Sequence, residues 1–294
     1  MLRDTLRGTG VALVTPFKQD NSIDFAALEA LINFVIEGGV QYIVTLGTTG
    51  ETPTLSREEK LDIIQATFSA VSARVPVVIG IGGNNTAALI KDIETFPVEK
   101  AMGILSASPY YNKPSQEGIF QHYKALASVT TKPIILYNVP GRTGSNIAAN
   151  TTIRLANEVS NIAGIKEASG NMAQCMQILR DKPQEFMVVS GDDNLALAQI
   201  ACGMDGVISV AANCFPKDFS RLVQAALNND FELARSYNNR LLQGYDLLFA
   251  ENNPAGVKAV LSELGIIQNY LRLPVVPLSA SLHEQVKAYL QTLK

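Results

Sequence analysis

"QYIVTLGTTGETPTLSREEKLDIIQATFSAVSARVPVVIGIG", residues Gln41 to Gly82, contains the unit from which this chain is built. Its ends, QYIVTLG (Gln41–Gly47) and PVVIGIG (Pro76–Gly82), are near-continuously apolar. A strand turns successive side chains to opposite faces, so an unbroken apolar run describes a strand buried on both. Between them SREEKLDIIQATFSAV (Ser56–Val71) reads as a helix, with Ser56 as N-cap and Glu59 three residues later completing a capping box.

Working outward, the same unit recurs along the chain. Further apolar runs are GVALVTPF (Gly10–Phe17), AMGILSASP (Ala101–Pro109), PIILYNVP (Pro133–Pro140), IAGIKEAS (Ile162–Ser169), FMVVSG (Phe186–Gly191) and GVISVAA (Gly206–Ala212). In DFAALEALINFVIEGG (Asp24–Gly39), Leu28, Leu31, Ile32, Val35 and Ile36 repeat at helical spacing before a terminal glycine. Eight strand–helix repeats predict an α/β fold, a closed (β/α)8 TIM barrel. A doubly wound open sheet is the alternative, since strand order is not visible in a sequence. The glycine fingerprint of that fold is missing: GIGGNN (Gly80–Asn85) is not GxGxxG.

The reading assigns residues 1–228 to the barrel and 229–294 to a C-terminal helical extension packed on it. Asn253 is expected as an N-cap with Pro254 at the first helical position. SLHEQVKAYLQTL (Ser281–Leu293) closes the chain as a helix, and RLPVVPLS (Arg272–Ser279) is a proline-rich connector.

The 294 residues are 47% hydrophobic and 17% charged, with a formal net charge of -3. A mildly acidic chain without a long basic run argues against nucleic acid and against an anionic membrane surface. MLRDTLRGTG has no apolar core of a signal peptide, and no run nears the roughly 20 apolar residues of a membrane span. A cytoplasmic protein is expected. Three cysteines without a CxxC pair fit reduced, buried, inert thiols.

In a barrel the chemistry gathers where the strands end. The second run leads into GTTGE with Thr48 and Thr49, the fourth into SPYYNKP with Tyr110 and Tyr111, and the fifth into YNVPGRTG with Tyr137 and Arg142. The seventh ends in SGDD, whose Asp192 and Asp193 are expected to cap the following helix. Each also has a bland reading: a turn for the threonines, packing for the tyrosines and solvation for the arginine. His122 and His283 are expected on the surface.

Lys166 stands out because an ammonium within an apolar strand is expensive unless paired or neutral. Its neighbour Glu167 points to the opposite face if Lys166 points inward. Tyr137 is the fifth residue of PIILY and Lys166 the fifth of IAGIK, so on adjoining strands about 4.8 Å apart the two lie at similar depth. A phenol beside a desolvated amine is a proton-transfer pair. Lowering a lysine from roughly 10.4 to about 7 costs on the order of 4–5 kcal/mol, tolerable in a large core, and yields a nucleophile. Two histidines remote from the strand ends offer neither a metal set nor a hydrolytic triad. Covalent imine chemistry on a keto acid, with no cofactor and no metal, is what remains.

GTTGE, SPYYNKPSQEG, YNVPGRTG, GIKEASGN and SGDD together resemble the class I pyruvate-aldolase family that contains the dihydrodipicolinate synthases and N-acetylneuraminate lyase. The resemblance runs from about Gly8 to the C-terminus. It implies a Schiff base between Lys166 and pyruvate, with Tyr137 shuttling protons through Thr49 to a Tyr111 donated across a dimer interface. It further implies that Thr48 and Thr49 bind the pyruvate carboxylate, that Gly191 and Ile208 line the pocket, and that the assembly is a homotetramer of tight dimers. Arg142 suits bidentate grip on a second carboxylate and is lacking from the sialic-acid lyases. This favours the synthase branch, which condenses pyruvate with L-aspartate 4-semialdehyde on the diaminopimelate route to lysine. The alternatives are an aldolase or lyase of the same family acting on a sugar-derived 2-keto acid, and a keto-acid-binding barrel without catalysis. Members that lysine inhibits carry a histidine where Lys60 stands and a glutamate where Ala88 stands, so lysine inhibition is expected to be weak or absent.

Overall fold

The computed structural model describes residues 2–293. Eight parallel strands pair in chain order: β1 (Gly8–Ala12), β2 (Tyr42–Thr45), β3 (Val77–Gly80), β4 (Gly103–Ala107), β5 (Ile134–Asn138), β6 (Ile162–Glu167), β7 (Met187–Ser190) and β8 (Gly206–Ser209). β8 pairs back onto β1, closing the barrel that the repeat predicted. Closure brings Gly206 against β1 so tightly that a Cβ there would lie 2.0 Å from the Gly8 carbonyl oxygen. Only glycine tolerates both that approach and its φ of +146°.

Alternation along the strands divides the apolar residues into two layers. Tyr42, Val44, Val78, Leu105, Ile135, Val189 and Ile208 fill the barrel interior. Ile43, Ile79, Ile104, Leu136, Ile165 and Val188 face outward into the larger core beneath the helices. Each strand is followed by a helix, and the capping box of helix Arg57–Val71 forms as expected, Glu59 N donating to Ser56 Oγ at 3.2 Å and Ser56 N to Glu59 Oε2 at 2.8 Å.

Strands one and eight are shorter than their apolar runs. The Asn213 side chain donates to Ala12 O at 2.8 Å and accepts from Val14 N at 3.2 Å, which turns the backbone out of the sheet. Beyond β8, Ala211–Asn213 form a 3-10 turn. The run GVISVAA therefore encodes burial past the point where pairing stops.

The C-terminal segment forms helices Phe231–Phe249, Ala255–Glu263 and Ala280–Thr292. Edge-to-face pairs Phe219–Tyr245 and Phe215–Tyr289, with centroids 6.1 and 6.0 Å apart, seat it on the barrel. Asn253 does not cap: Pro254 occupies the cap position, and the asparagine is 6% exposed with its side chain turned into the barrel mouth. Cys202 is exposed, unlike buried Cys175 and Cys214, because it follows the short helix Ala196–Ala201 onto the surface. His122 is likewise not a surface residue. It faces the adjacent helix and accepts or donates through Nδ1 to Thr86 Oγ1 at 2.8 Å. Among the described residues no helix is long and apolar enough to cross a membrane.

Candidate active site

Lys166 and Tyr137 are register partners on β6 and β5. Both have the parity of the interior layer, so Lys166 points into the barrel mouth and is only 3% exposed. Its ammonium nitrogen lies 4.5 Å from the centre of the Tyr137 ring. Glu167 takes the opposite face. Its carboxylate accepts from Asn138 Nδ2 at 3.0 and 3.2 Å, Ser169 N at 2.8 Å and Gln174 Nε2 at 3.1 Å. These neutral donors satisfy Glu167 without drawing on Lys166, and they bolt the ends of β5 and β6 together.

The loop after β2 brings Thr48 and Thr49 to the same mouth as a 3-10 turn, Thr48–Gly50. Thr15 Oγ1 donates to Gly50 O at 2.7 Å and Thr52 Oγ1 to Gly47 O at 2.8 Å, fixing the turn from both sides. Leu46 and Glu51 flank it at φ of 56° and 53°. Left-handed backbone in such residues is strained, and surrounding structure must hold it. Thr49 is 2% exposed, and its Oγ1 accepts from Asn253 Nδ2 at 3.1 Å.

At the end of β7, a Cβ on Gly191 would sit 2.9 Å from Lys166 Cε and 2.5 Å from Ala168 Cβ, so the glycine makes room for the lysine stem. Asp192 stands at the N-cap position of the 3-10 turn Asp193–Leu195, but its side chain makes no capping bond, and Asp193 lies within the turn. Asp193 reaches across to β8, its Oδ2 accepting from Val210 N at 3.0 Å and Ala211 N at 2.7 Å. Asp192 lines the mouth, with Oδ2 buried and without a hydrogen-bond partner. Burial pushes its carboxyl up to about 6, against the opposing pull of Lys166.

Together these groups enclose a cavity of about 390 Å³, lined by Thr48, Thr49, Tyr137, Arg142, Lys166 and Gly191 among others. Arg142, from the short helix Pro140–Thr143, also lines an adjoining cavity of about 340 Å³ that contains Tyr110 and Lys60. Two expected site residues stand elsewhere. Ile208 belongs to the interior layer, and Val210, two residues further along, forms that part of the cavity wall. Tyr111 is 87% exposed at φ 75° and lines neither cavity. Among the described residues no three His, Cys, Asp or Glu side chains gather as a metal-holding group.

Asn253 and Asp192 are cavity residues that sequence reasoning read as caps, as their residue types invite. A second missed feature lies behind them. Lys258 Nζ is 2.5 Å from Glu51 Oε1, with both side chains buried, and donates to Tyr270 O at 2.9 Å. Burial pulls this ammonium below the ordinary lysine range while Glu51 pulls it back. The signal was present: Lys258 interrupts the apolar run Val257–Leu261 just as Lys166 interrupts its strand.

Residues 5–293 match the Dihydrodipicolinate synthetase family. The 4-hydroxy-tetrahydrodipicolinate synthase of Parabacteroides distasonis is 48% identical over 98% of this chain and 97% of its own length. That of Phocaeicola vulgatus is 47% identical over 100% and 99%. The crystal structure of dihydrodipicolinate synthase from Aquifex aeolicus superposes with a TM-score of 0.95 at 38% identity, covering 98% of each chain. A monomeric dihydrodipicolinate synthase variant matches equally well, with a TM-score of 0.95 at 38% identity over 98% of this chain and 97% of the variant.

Proposed function

This chain belongs to the dihydrodipicolinate synthetase family, and we propose that Lys166 is the nucleophile of its 4-hydroxy-tetrahydrodipicolinate synthase reaction. The observation that carries this is the enclosure of one primary amine, 3% exposed, against a phenol ring in the barrel mouth. The enzyme is a lyase of lysine biosynthesis, acting through covalent chemistry without a separate cofactor.

The Lys166 amine adds to C2 of pyruvate, and loss of water leaves an imine. Thr48 and Thr49 receive the pyruvate carboxylate at the turn after β2. Protonated imine nitrogen withdraws electrons from C2, so a proton leaves the C3 methyl and an enamine forms. Tyr137 carries protons in these steps, placed beside Nζ by the strand register. The enamine carbon then bonds to the aldehyde carbon of L-aspartate 4-semialdehyde, whose carboxylate Arg142 grips bidentately. Finally the substrate's own amino group adds to C2 and expels the lysine, closing the ring and restoring the free amine.

Tyr111 fits this scheme as a group given to a second copy of the chain. An aromatic ring 87% exposed on a left-handed loop residue has little to hold it in a lone subunit. That exposure supports a second copy seated against this loop, with Tyr111 completing the partner's proton relay; the grouping of tight dimers into a homotetramer is what the family resemblance implies.

Pyruvate with borohydride should reduce the imine to a stable secondary amine. Peptide mass mapping is expected to find the adduct on Lys166 alone; a label on any other lysine overturns the assignment.

A further inference from the structure

We propose that Asn253, supplied by the C-terminal extension, is a positioning residue that fixes the direction in which Thr49 passes its hydroxyl proton. The inference rests on the reading of Thr49 as part of the proton relay beside Lys166 and Tyr137. Asn253 is 6% exposed and lines the same cavity as Thr49, Tyr137 and Lys166. Its Nδ2 donates to Thr49 Oγ1 at 3.1 Å, while its Oδ1 is buried without a hydrogen-bond partner.

A hydroxyl offers one hydrogen and two lone pairs. The amide NH2 occupies a lone pair of Thr49 and cannot accept, so the threonine hydrogen must point away from Asn253. Among the described residues no other side chain bonds Thr49 Oγ1, which leaves that hydrogen free for the cavity. A neutral amide thus makes Thr49 a one-way donor toward the reacting centre. Two residues from Thr49 and five from Asn253, the Glu51–Lys258 pair ties the end of that turn to the helix that follows Asn253. The C-terminal extension is in this way a template for the catalytic turn, held at two points.

The test is Asn253→Asp in the full-length protein, beside Asn253→Ala, Thr49→Val and the double variant Thr49→Val/Asn253→Asp. A carboxylate accepts but does not donate, so it would draw the threonine hydrogen out of the relay. Asn253→Asp is expected to lower kcat by about 10²-fold with KM for pyruvate little changed, the scale of a lost proton-transfer group. Borohydride trapping on Lys166 is expected to persist. The ratio of Asn253→Asp to native kcat should rise as pH falls, because a protonated carboxyl donates again. Asn253→Ala should show a smaller loss with a flat ratio, and the double variant should be no slower than Thr49→Val.

Native kcat in Asn253→Asp, a flat ratio, or a further loss in the double variant would each overturn the proposal. Should Asn253→Asp not fold, Asn253→Ala decides by its split between kcat and KM: a rise in KM at native kcat overturns it. Failure of trapping in the native protein would instead sink the assignment of Lys166, and so the two readings fail separately.

Discussion

Glu51 and Lys258 meet as an ion pair at 2.5 Å with side chains 1% and 0% exposed, joining the loop after β2 to the C-terminal extension. Glu51 Oε2 also accepts from Arg272 N at 3.0 Å, and Lys258 Nζ lies 4.1 Å from the centre of the Phe17 ring. A buried pair contributes little relative to an apolar substitute, yet removing one partner strands the other charge. Lys258→Met is expected to cost about 3–5 kcal/mol, read as a lowered urea midpoint. The double variant Glu51→Gln/Lys258→Met should recover much of that loss. Additive losses would mean that the two side chains act independently.

Tyr137→Phe separates the packing of the ring from the chemistry of its oxygen. The phenyl ring can still cover Nζ, so pyruvate trapping on Lys166 should survive. Turnover in a coupled assay with the semialdehyde is expected to fall by about 10²–10⁴-fold. Near-native turnover would remove the phenol from the proton pathway.

Arg142→Leu should act on the second substrate alone. Loss of a charge-assisted contact worth about 1.5–3 kcal/mol raises KM for aspartate semialdehyde by roughly 10–150-fold. Arg142→Lys should restore part of it, since an ammonium keeps the charge without the planar fork. An equal rise in KM for pyruvate would place the guanidinium on the first substrate instead.

The barrel was legible in the sequence because both of its periodicities are local. Apolar runs name strands buried on two faces, and Lys166 and Tyr137 sit at matching positions in their runs, so the pairing of β5 with β6 followed from counting. Where each strand ends was not legible. Asn213 stops β1 through a bond to a residue 199 positions away, and Asp193 stops β8 through a bond to one 17 positions away. Asn253 and Asp192 have side chains that suit a cap or a cavity equally, and only closure of the barrel turns both into the cavity, Asp192 keeping the cap position of its turn without a capping bond. His122 was read as exposed because its partner, Thr86, comes from the neighbouring helix.

His122 should make the fold sensitive to mild acid. Burial lowers its imidazole from 6.5 to about 4, with Nε2 buried and unpartnered. A depressed folded value means that the unfolded chain takes up the proton first. The stability His122 contributes is full above about pH 6.5 and is lost as pH falls toward 4, reaching a loss of about 2 kcal/mol near pH 5. Denaturant melts at neutral pH and near pH 5 should show a smaller difference for His122→Gln than for the native protein. An unchanged difference would assign the acid sensitivity to carboxylates.

Free lysine should inhibit weakly or not at all. The cavity beside the active site presents Lys60 together with Arg142 and Tyr110, and Asn84 Nδ2 reaches Tyr110 O at 3.5 Å across its rim. Ala88, exposed on helix Thr86–Thr95, offers no carboxylate to an incoming ammonium. Two like charges 4 Å apart repel by roughly 1 kcal/mol in water and about 4 kcal/mol near a protein surface. That repulsion erodes most of the affinity a small amino acid could gain there. Coupled assays with millimolar lysine should leave the native rate nearly unchanged, and Lys60→His/Ala88→Glu should introduce inhibition by removing the fixed cation and adding a counter-charge. Strong inhibition of the native enzyme at submillimolar lysine would show that the ammonium binds clear of Lys60.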